Sequence, residues 1–195
     1  MEVHAVNFDL ESLIDLCLRT FEPLVKNERL RLVKKLEGGI PELYTDQDKL
    51  KQILMNLLSN AIKFTEAGTI TVTARCRDKE VTISVADTGI GIPADQLALV
   101  FEEFHQVDNS ATRQYSGTGL GLAISRHFAQ LLGGDIMIQS MVGVGSTFTV
   151  SIPLHYEAAQ LAAHVAAVSA RDAGTPVFET GSVALAIDDP AKVKS

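Results

Sequence analysis

Apolar positions recur along most of this chain in two rhythms, one near 3.6 residues and one of two, and their order lays out the elements. Residues 4–8 alternate as a short strand. Asp9 then caps a helix whose apolar positions, Leu10, Leu13, Ile14, Cys17, Phe21 and Leu24, fall at helical spacing. Residues 30–36 read as a strand, closed by Gly38-Gly39-Ile40-Pro41. Asp46 caps a second helix over residues 47–64. Ile70, Val72, Ala74 and Cys76 alternate, as do Val81, Ile83 and Val85, with Arg77-Asp78-Lys79 between the runs. That pattern predicts an antiparallel hairpin with one buried face. A short helix is expected after Pro93, with Leu97, Val100, Phe101 and Phe104 inward. Residues 105–116 are polar and without a period, and are expected to form a mobile loop. A helix over residues 120–132 is stopped by Gly133-Gly134. Strands at 136–140 and 147–152 flank a turn at Gly143-Val144-Gly145. Helices and antiparallel hairpins without a βαβα rhythm give an α+β fold, a two-layer sandwich with one sheet covered by helices.

After Pro153 the pattern lapses. Residues 155–170 are alanine-rich with helical character, and residues 173–195 hold Gly, Pro and Thr around an apolar run at 183–187. The chain is therefore divided into a domain over residues 1–154 and a tail or linker over residues 155–195. Hydrophobic residues are 46% of the sequence, enough for a core, yet no apolar run reaches the ~18 residues of a membrane span. The N-terminus lacks a secretory pattern. Cys17 and Cys76 fall on apolar faces, as reduced thiols in a cytoplasmic protein do. The net charge of −7 with no basic cluster argues against a nucleic-acid surface. An acidic chain still accommodates an anionic nucleotide where magnesium and backbone dipoles supply a local positive field.

Three segments carry chemistry. In Asn56-Leu57-Leu58-Ser59-Asn60-Ala61-Ile62-Lys63-Phe64, helical geometry puts Gln52, Asn56, Asn60 and Lys63 within an arc of about 80°. Leu50, Ile53, Leu54, Leu57, Ala61 and Phe64 lie roughly opposite. Alone, such a stripe is an ordinary solvated face; beside two glycine loops it reads as the wall of a pocket. Carboxamide oxygens are hard ligands that suit magnesium, and Lys63 reaches phosphate as a point charge. In Asp87-Thr88-Gly89-Ile90-Gly91-Ile92-Pro93, Asp87 continues the alternation of Val81, Ile83 and Val85, so its carboxylate points inward. A buried carboxylate needs a donor, and an adenine amino group is one. Gly117-Thr118-Gly119-Leu120-Gly121-Leu122 opens a helix, where backbone donors converge on an anion. Without a βαβ unit around it, this loop does not indicate a dinucleotide fold. Phe101 and Phe104 read as core residues and as anchors of the loop beside the nucleotide. Arg113 is a γ-phosphate candidate, or a solvated loop arginine. The five histidines show no metal spacing and read as structural or surface residues.

With these segments and Phe101-Glu102-Glu103-Phe104 in this order, residues 3–153 resemble the catalytic, ATP-binding domain of a sensor histidine kinase, of the Bergerat (GHKL) type. The resemblance implies a mixed, mainly antiparallel sheet covered on one face by helices, with a flexible ATP lid at residues 105–116. It implies ATP and Mg²⁺ as ligands, with Asn56 and Asn60 on magnesium, Lys63 on phosphate and Asp87 on the adenine amino group. Gly89, Gly91 and Ile92 would lie along the base, and Phe104, Gly117, Thr118, Gly119, Leu120 and Gly121 would complete the ATP site. The candidate catalytic set is Asn56 and Lys63, matched by motif, with Arg113 of the loop. The family's phosphoacceptor hairpin is absent, so the chain is expected to be a piece of a longer kinase and monomeric by itself. Its partners would be that hairpin domain and a downstream response regulator or receiver domain, with the parent free to be membrane-attached. Gln52 stands where related ATPases carry a glutamate that activates water, which implies slow hydrolysis. Tyr115-Ser116 replaces a glycine-rich pair and stiffens one lid hinge. Val183-Ala184-Leu185-Ala186-Ile187-Asp188-Asp189-Pro190 resembles the first strand and acidic pair of a receiver domain. The same fold also serves stand-alone ATPases, serine kinases such as anti-sigma-factor kinases, and non-catalytic nucleotide-sensing modules. The Phe101–Phe104 segment and the leading strand favour the histidine kinase.

Overall fold

The computed structural model describes residues 2–25, 29–102 and 119–157. Acidic caps start its first two helices. The Asp9 carboxylate accepts from the Ser12 N–H at 2.8 Å and opens α1 (Leu10–Phe21). Asp46 accepts from the Lys49 N–H at 3.0 Å and opens α2 (Gln47–Phe64). Each cap satisfies an N–H that a helix start leaves without an intrahelical partner. The third helix, α3 (Gly121–Leu131), closes where the Gly133 and Gly134 N–H groups bond back to the carbonyls of Gln130 and Ala129.

The strands are β1 (Val6–Phe8), β2 (Leu30–Glu37), β3 (Leu43–Thr45), β4 (Gly68–Arg77), β5 (Glu80–Asp87), β6 (Asp135–Met141) and β7 (Gly145–Pro153). Five of them form one sheet in the order β2-β4-β5-β7-β6. β2 and β4 run parallel because α2 carries the chain back between them; the other pairs are antiparallel. The sheet is thus mixed and mainly antiparallel, as the family resemblance implies. Period two sends Val72, Val81, Ile83, Val85, Val150 and Ile152 to one face, all buried. There they join one core with Leu13 and Ile14 of α1 and Leu50, Leu54 and Leu57 of α2. Each such side chain contributes roughly 1.5–3 kcal/mol by leaving water. The opposite face carries hydroxyls, with Ser84 and Thr149 paired at 3.0 Å and Thr82 and Ser151 at 3.4 Å.

Three local features depart from the sequence reading. β3 was not anticipated. It pairs with β1, Val6 opposite Thr45 and Phe8 opposite Leu43. On its other edge the Tyr44 N–H donates to the Leu154 carbonyl (3.0 Å), and the Tyr156 N–H donates to the Tyr44 carbonyl (2.7 Å). The helix expected after Pro93 is a single 3-10 turn, Ala94–Gln96, followed by more turns. Its bonds, such as Leu99 N–H to Gln96 and Glu102 N–H to Leu99, span three residues, and so short a segment does not propagate an α-helix. Val100 is buried there, while Leu97 and Phe101 are half-buried. The final hairpin turns through residues 142–144, and Gly145 already belongs to β7. Among the described residues, no helix is long and apolar enough to cross a membrane. Cys17 is a buried and Cys76 a half-buried free thiol.

Candidate functional site

β5 ends on Asp87, which lies between Ile70 of β4 and Ser146 of β7 in the sheet register. Its half-buried carboxylate uses Oδ1 to accept from the Gly89 N–H at 2.8 Å and, more weakly, from the Ser146 N–H at 3.4 Å. Burial pushes the Asp87 pKa up from 3.8, while those two N–H groups and the Thr65 hydroxyl pull it back. Thr65 is itself buried, and its hydroxyl faces this charge without an ordinary hydrogen bond among the described residues. Asp87 Oδ2 takes no hydrogen bond among the described residues. With two N–H groups on Oδ1 and the Thr65 hydroxyl facing the charge, the half-buried carboxylate still has acceptor capacity for a further donor.

The loop after Asp87 is held from two sides. From α2, the Phe64 carbonyl accepts the Ile90 N–H at 3.2 Å. From the β6–β7 hairpin, the Gly143 N–H donates to the Ile90 carbonyl (2.8 Å), and Ser140 Oγ accepts the Ile92 N–H (2.8 Å). Ser140 in turn donates to the Gly145 carbonyl at 3.0 Å and meets the Ser146 hydroxyl at 2.9 Å. Gly91 has φ +71°, and a Cβ there would run into the Met141 carbonyl. The loop is therefore packed closely on the hairpin backbone, with Gly91 at the point of contact.

The second part of the site joins α2 to α3. The Asn56 Nδ2–H donates to Ser125 Oγ at 2.8 Å. Asn56 Oδ1 takes no hydrogen bond among the described residues and faces Gly121, where any Cβ would strike the carboxamide. Gly119 and Leu120 lead into the same helix start, whose first N–H groups point out along the axis and form a positive end. Asn60 is half-buried and makes no side-chain hydrogen bond among the described residues. Among the described residues, no three His, Cys, Asp or Glu side chains gather to hold a metal. A cation here would rest on hard carboxamide oxygens, of which Asn56 Oδ1 is open. Few protein oxygens, completed by phosphate and water, suit magnesium.

Other sequence candidates fall elsewhere. The Lys63 ammonium lies 5.0 Å from the Phe64 ring centroid. Lys63 also lines a shallow cavity of about 350 Å³ with Phe21, Leu24, Ser59, Ile62, Thr65 and Glu66. No residue of the Asp87 loop lines that cavity, so it is not the pocket the motifs describe. Gln52 is exposed. Phe101 packs edge-on against Phe148, with centroids 6.5 Å apart, and carries the Arg126 guanidinium 5.3 Å over its ring. Phe104, Arg113, Gly117 and Thr118 lie outside the described residues, as do the loop at 105–116 and residues 158–195. Sequence reasoning missed Thr65, Ser125, Ser140 and Ser146. The available signals were spacing and symmetry: Ser125 follows Gly121 by one helical turn, and Ser140 and Ser146 flank the Gly143 turn at paired positions.

A family model described as histidine kinase-, DNA gyrase B-, and HSP90-like ATPase matches residues 45–156. The circadian input-output histidine kinase CikA of Synechococcus elongatus is 43% identical over 149 residues, covering 75% of this chain and 20% of that protein. The sensor histidine kinase AruS of Pseudomonas aeruginosa is 44% identical over 156 residues, covering 77% of this chain and 16% of that protein. The chain thus spans a fifth or less of the length of these relatives. Among solved structures, full-length ShkA in complex with AMPPNP superposes with a TM-score of 0.73 at 33% identity, over 82% of this chain and 33% of that one. The nucleotide-free catalytic domain of the histidine kinase ThkA gives 0.69 at 29% identity, over 80% and 97%.

Proposed function

The chain belongs to the family of histidine kinase-, DNA gyrase B- and HSP90-like ATPases, on its histidine kinase side, and from that premise we propose that residues 1–154 bind Mg-ATP and pass its γ-phosphoryl group to a histidine on a separate phosphoacceptor domain. Asp87 carries the reading. Its Oδ1 is engaged by backbone and its Oδ2 takes no hydrogen bond among the described residues, so an exocyclic adenine amino group would supply a further donor. Gly89, Gly91 and Ile92 would lie along the base. At the other end, Asn56 and Asn60 would hold magnesium, which when bound neutralises phosphate charge. Lys63 adds a point charge, and the backbone donors at Gly119, Leu120 and Gly121 receive phosphate oxygens at the positive end of α3. Phe104, Gly117 and Thr118 are assigned by motif, and Arg113 by its place in the loop. In transfer, a histidine nitrogen attacks the γ-phosphorus as its bond to the bridging oxygen breaks, leaving ADP. The chain's own residues act by positioning both groups. Gln52 is no general base, so water is poorly activated. Residues 155–195 would connect this unit to a receiver domain, and the setting is the cytoplasm.

The test supplies a helical hairpin bearing a phosphoacceptor histidine, together with ATP labelled at the γ-phosphate. Acid-labile label on that histidine, strongly reduced by Asp87→Asn at ATP concentrations below saturation, is expected. Nucleotide binding without transfer to any hairpin would reject the kinase step, and steady turnover without an acceptor would point to a stand-alone ATPase.

A further inference from the structure

On the reading that Asn56 is a magnesium ligand, we propose that Ser125 is a positioning residue that turns the Asn56 carboxamide oxygen towards the metal. A carboxamide has nearly the same shape when rotated by half a turn, but only its oxygen binds a cation. Its orientation is therefore decided by what the amide nitrogen finds. Here that nitrogen donates to Ser125 Oγ at 2.8 Å, and Ser125 is only 2% exposed, so water does not compete for the hydroxyl. The opposite corner, Oδ1, is left facing Gly121 and the start of α3. Gly121 and Ser125 stand one turn apart on the same face of that helix. One gives the carboxamide room, and the other fixes which end is which. The contact joins residues 69 positions apart, so the helix that would receive phosphate also sets the metal ligand on α2.

The experiment titrates the whole chain with a non-hydrolysable ATP analogue, once with magnesium and once with EDTA, for wild type, Ser125→Ala and Ser125→Thr. Wild type should bind more tightly with magnesium. Ser125→Ala should keep the EDTA affinity, which also reports that it is folded. It should lose about ten- to a hundredfold of the magnesium-supported affinity, the range met when a group behind a metal ligand is removed. Ser125→Thr keeps the hydroxyl and should restore most of that loss. The Asn56 side-chain amide resonance, assigned by its absence in Asn56→Ala, should shift in Ser125→Ala before any ligand is added. Equal loss of affinity in magnesium and EDTA would reduce Ser125 to a packing residue and overturn the inference, as would no loss in either. Wild type with the same affinity in both conditions would overturn the magnesium reading, and the inference with it, before any substitution is made.

Discussion

Replacing Gly91 by alanine, with Gly143→Ala as its partner experiment, isolates the contact on which the proposed adenine surface depends. Both glycines sit at positive φ, +71° and +77°. An L-residue held there costs about 1–2 kcal/mol. The two differ in surroundings. A Cβ at Gly143 meets nothing within 4 Å, whereas one at Gly91 meets the Met141 carbonyl and the Val142 Cα, which are backbone and do not swing aside. Forcing an extra carbon into packed structure costs a further 1–3 kcal/mol or so. Gly143→Ala should thus lose about 1–2 kcal/mol and Gly91→Ala about 2–5, a large share of the roughly 5–15 kcal/mol that holds a domain. Gly91→Ala should also push the loop off the hairpin, breaking the Ile92–Ser140 bond and weakening nucleotide binding, while Gly143→Ala leaves binding intact. Urea unfolding and calorimetric titration measure the two effects. If the two variants differ in stability by less than about 0.5 kcal/mol, near the limit of such comparisons, the loop does not rest on the hairpin.

Asp87→Asn should weaken ADP binding about ten- to a hundredfold, since a charge-assisted bond is worth about 1.5–3 kcal/mol; unchanged affinity in calorimetry would remove Asp87 from the adenine site. Because burial raises the Asp87 pKa, the folded state holds its proton longer than the unfolded one. Its contribution to stability therefore declines as pH rises from about 3.8 through the raised folded value, and urea midpoints of Asp87→Asn should lack that decline. Asp46 behaves oppositely. Burial pushes its pKa up, but Lys49 and the His4 N–H outweigh it, so its stabilisation is lost as pH falls from about 3.8 through the lowered folded value. Asp46→Ala should cost about 2–4 kcal/mol, from a lost cap and the lost Lys49 ion pair, with Asp46→Asn keeping the cap share in thermal melts. Burial raises the Cys17 thiol to about 11, so iodoacetamide at neutral pH should alkylate it only after unfolding; native-state labelling seen by mass spectrometry would contradict its burial.

What the sequence made legible followed from local rules. α2 was readable to its ends because Asp46 caps it and its apolar positions keep one face for eighteen residues. Asp87 was placed inward by counting in twos from Val81. β3 was not readable, since three residues with one alternation, Leu43, Tyr44 and Thr45, carry no period, and their partners in β1 lie over thirty residues away. The turns after Pro93 were overread because Leu97, Val100 and Phe101 have helical spacing that also fits a chain of 3-10 bonds. The four supporting hydroxyls were invisible for another reason. Serine and threonine are common at surface and strand positions, and only the fold reveals that Ser146 lies beside Asp87 and Ser125 beneath Asn56.

The three-residue strand β3 has a consequence for how the domain sits in any longer chain. Tyr44 is flanked on one side by Asn7 of β1 and on the other by residues 154–156. Residues 6–8 and residues 154–156 therefore lie on neighbouring ribbons, separated by the width of one strand. A module wired this way behaves as a side loop on its host. Segments joined there act first on the few ribbon hydrogen bonds that Tyr44 makes with residues 154–156. Grafting residues 2–157 between two new partners should need only short splices, and a circular permutant joining position 156 to position 6 should keep the same core.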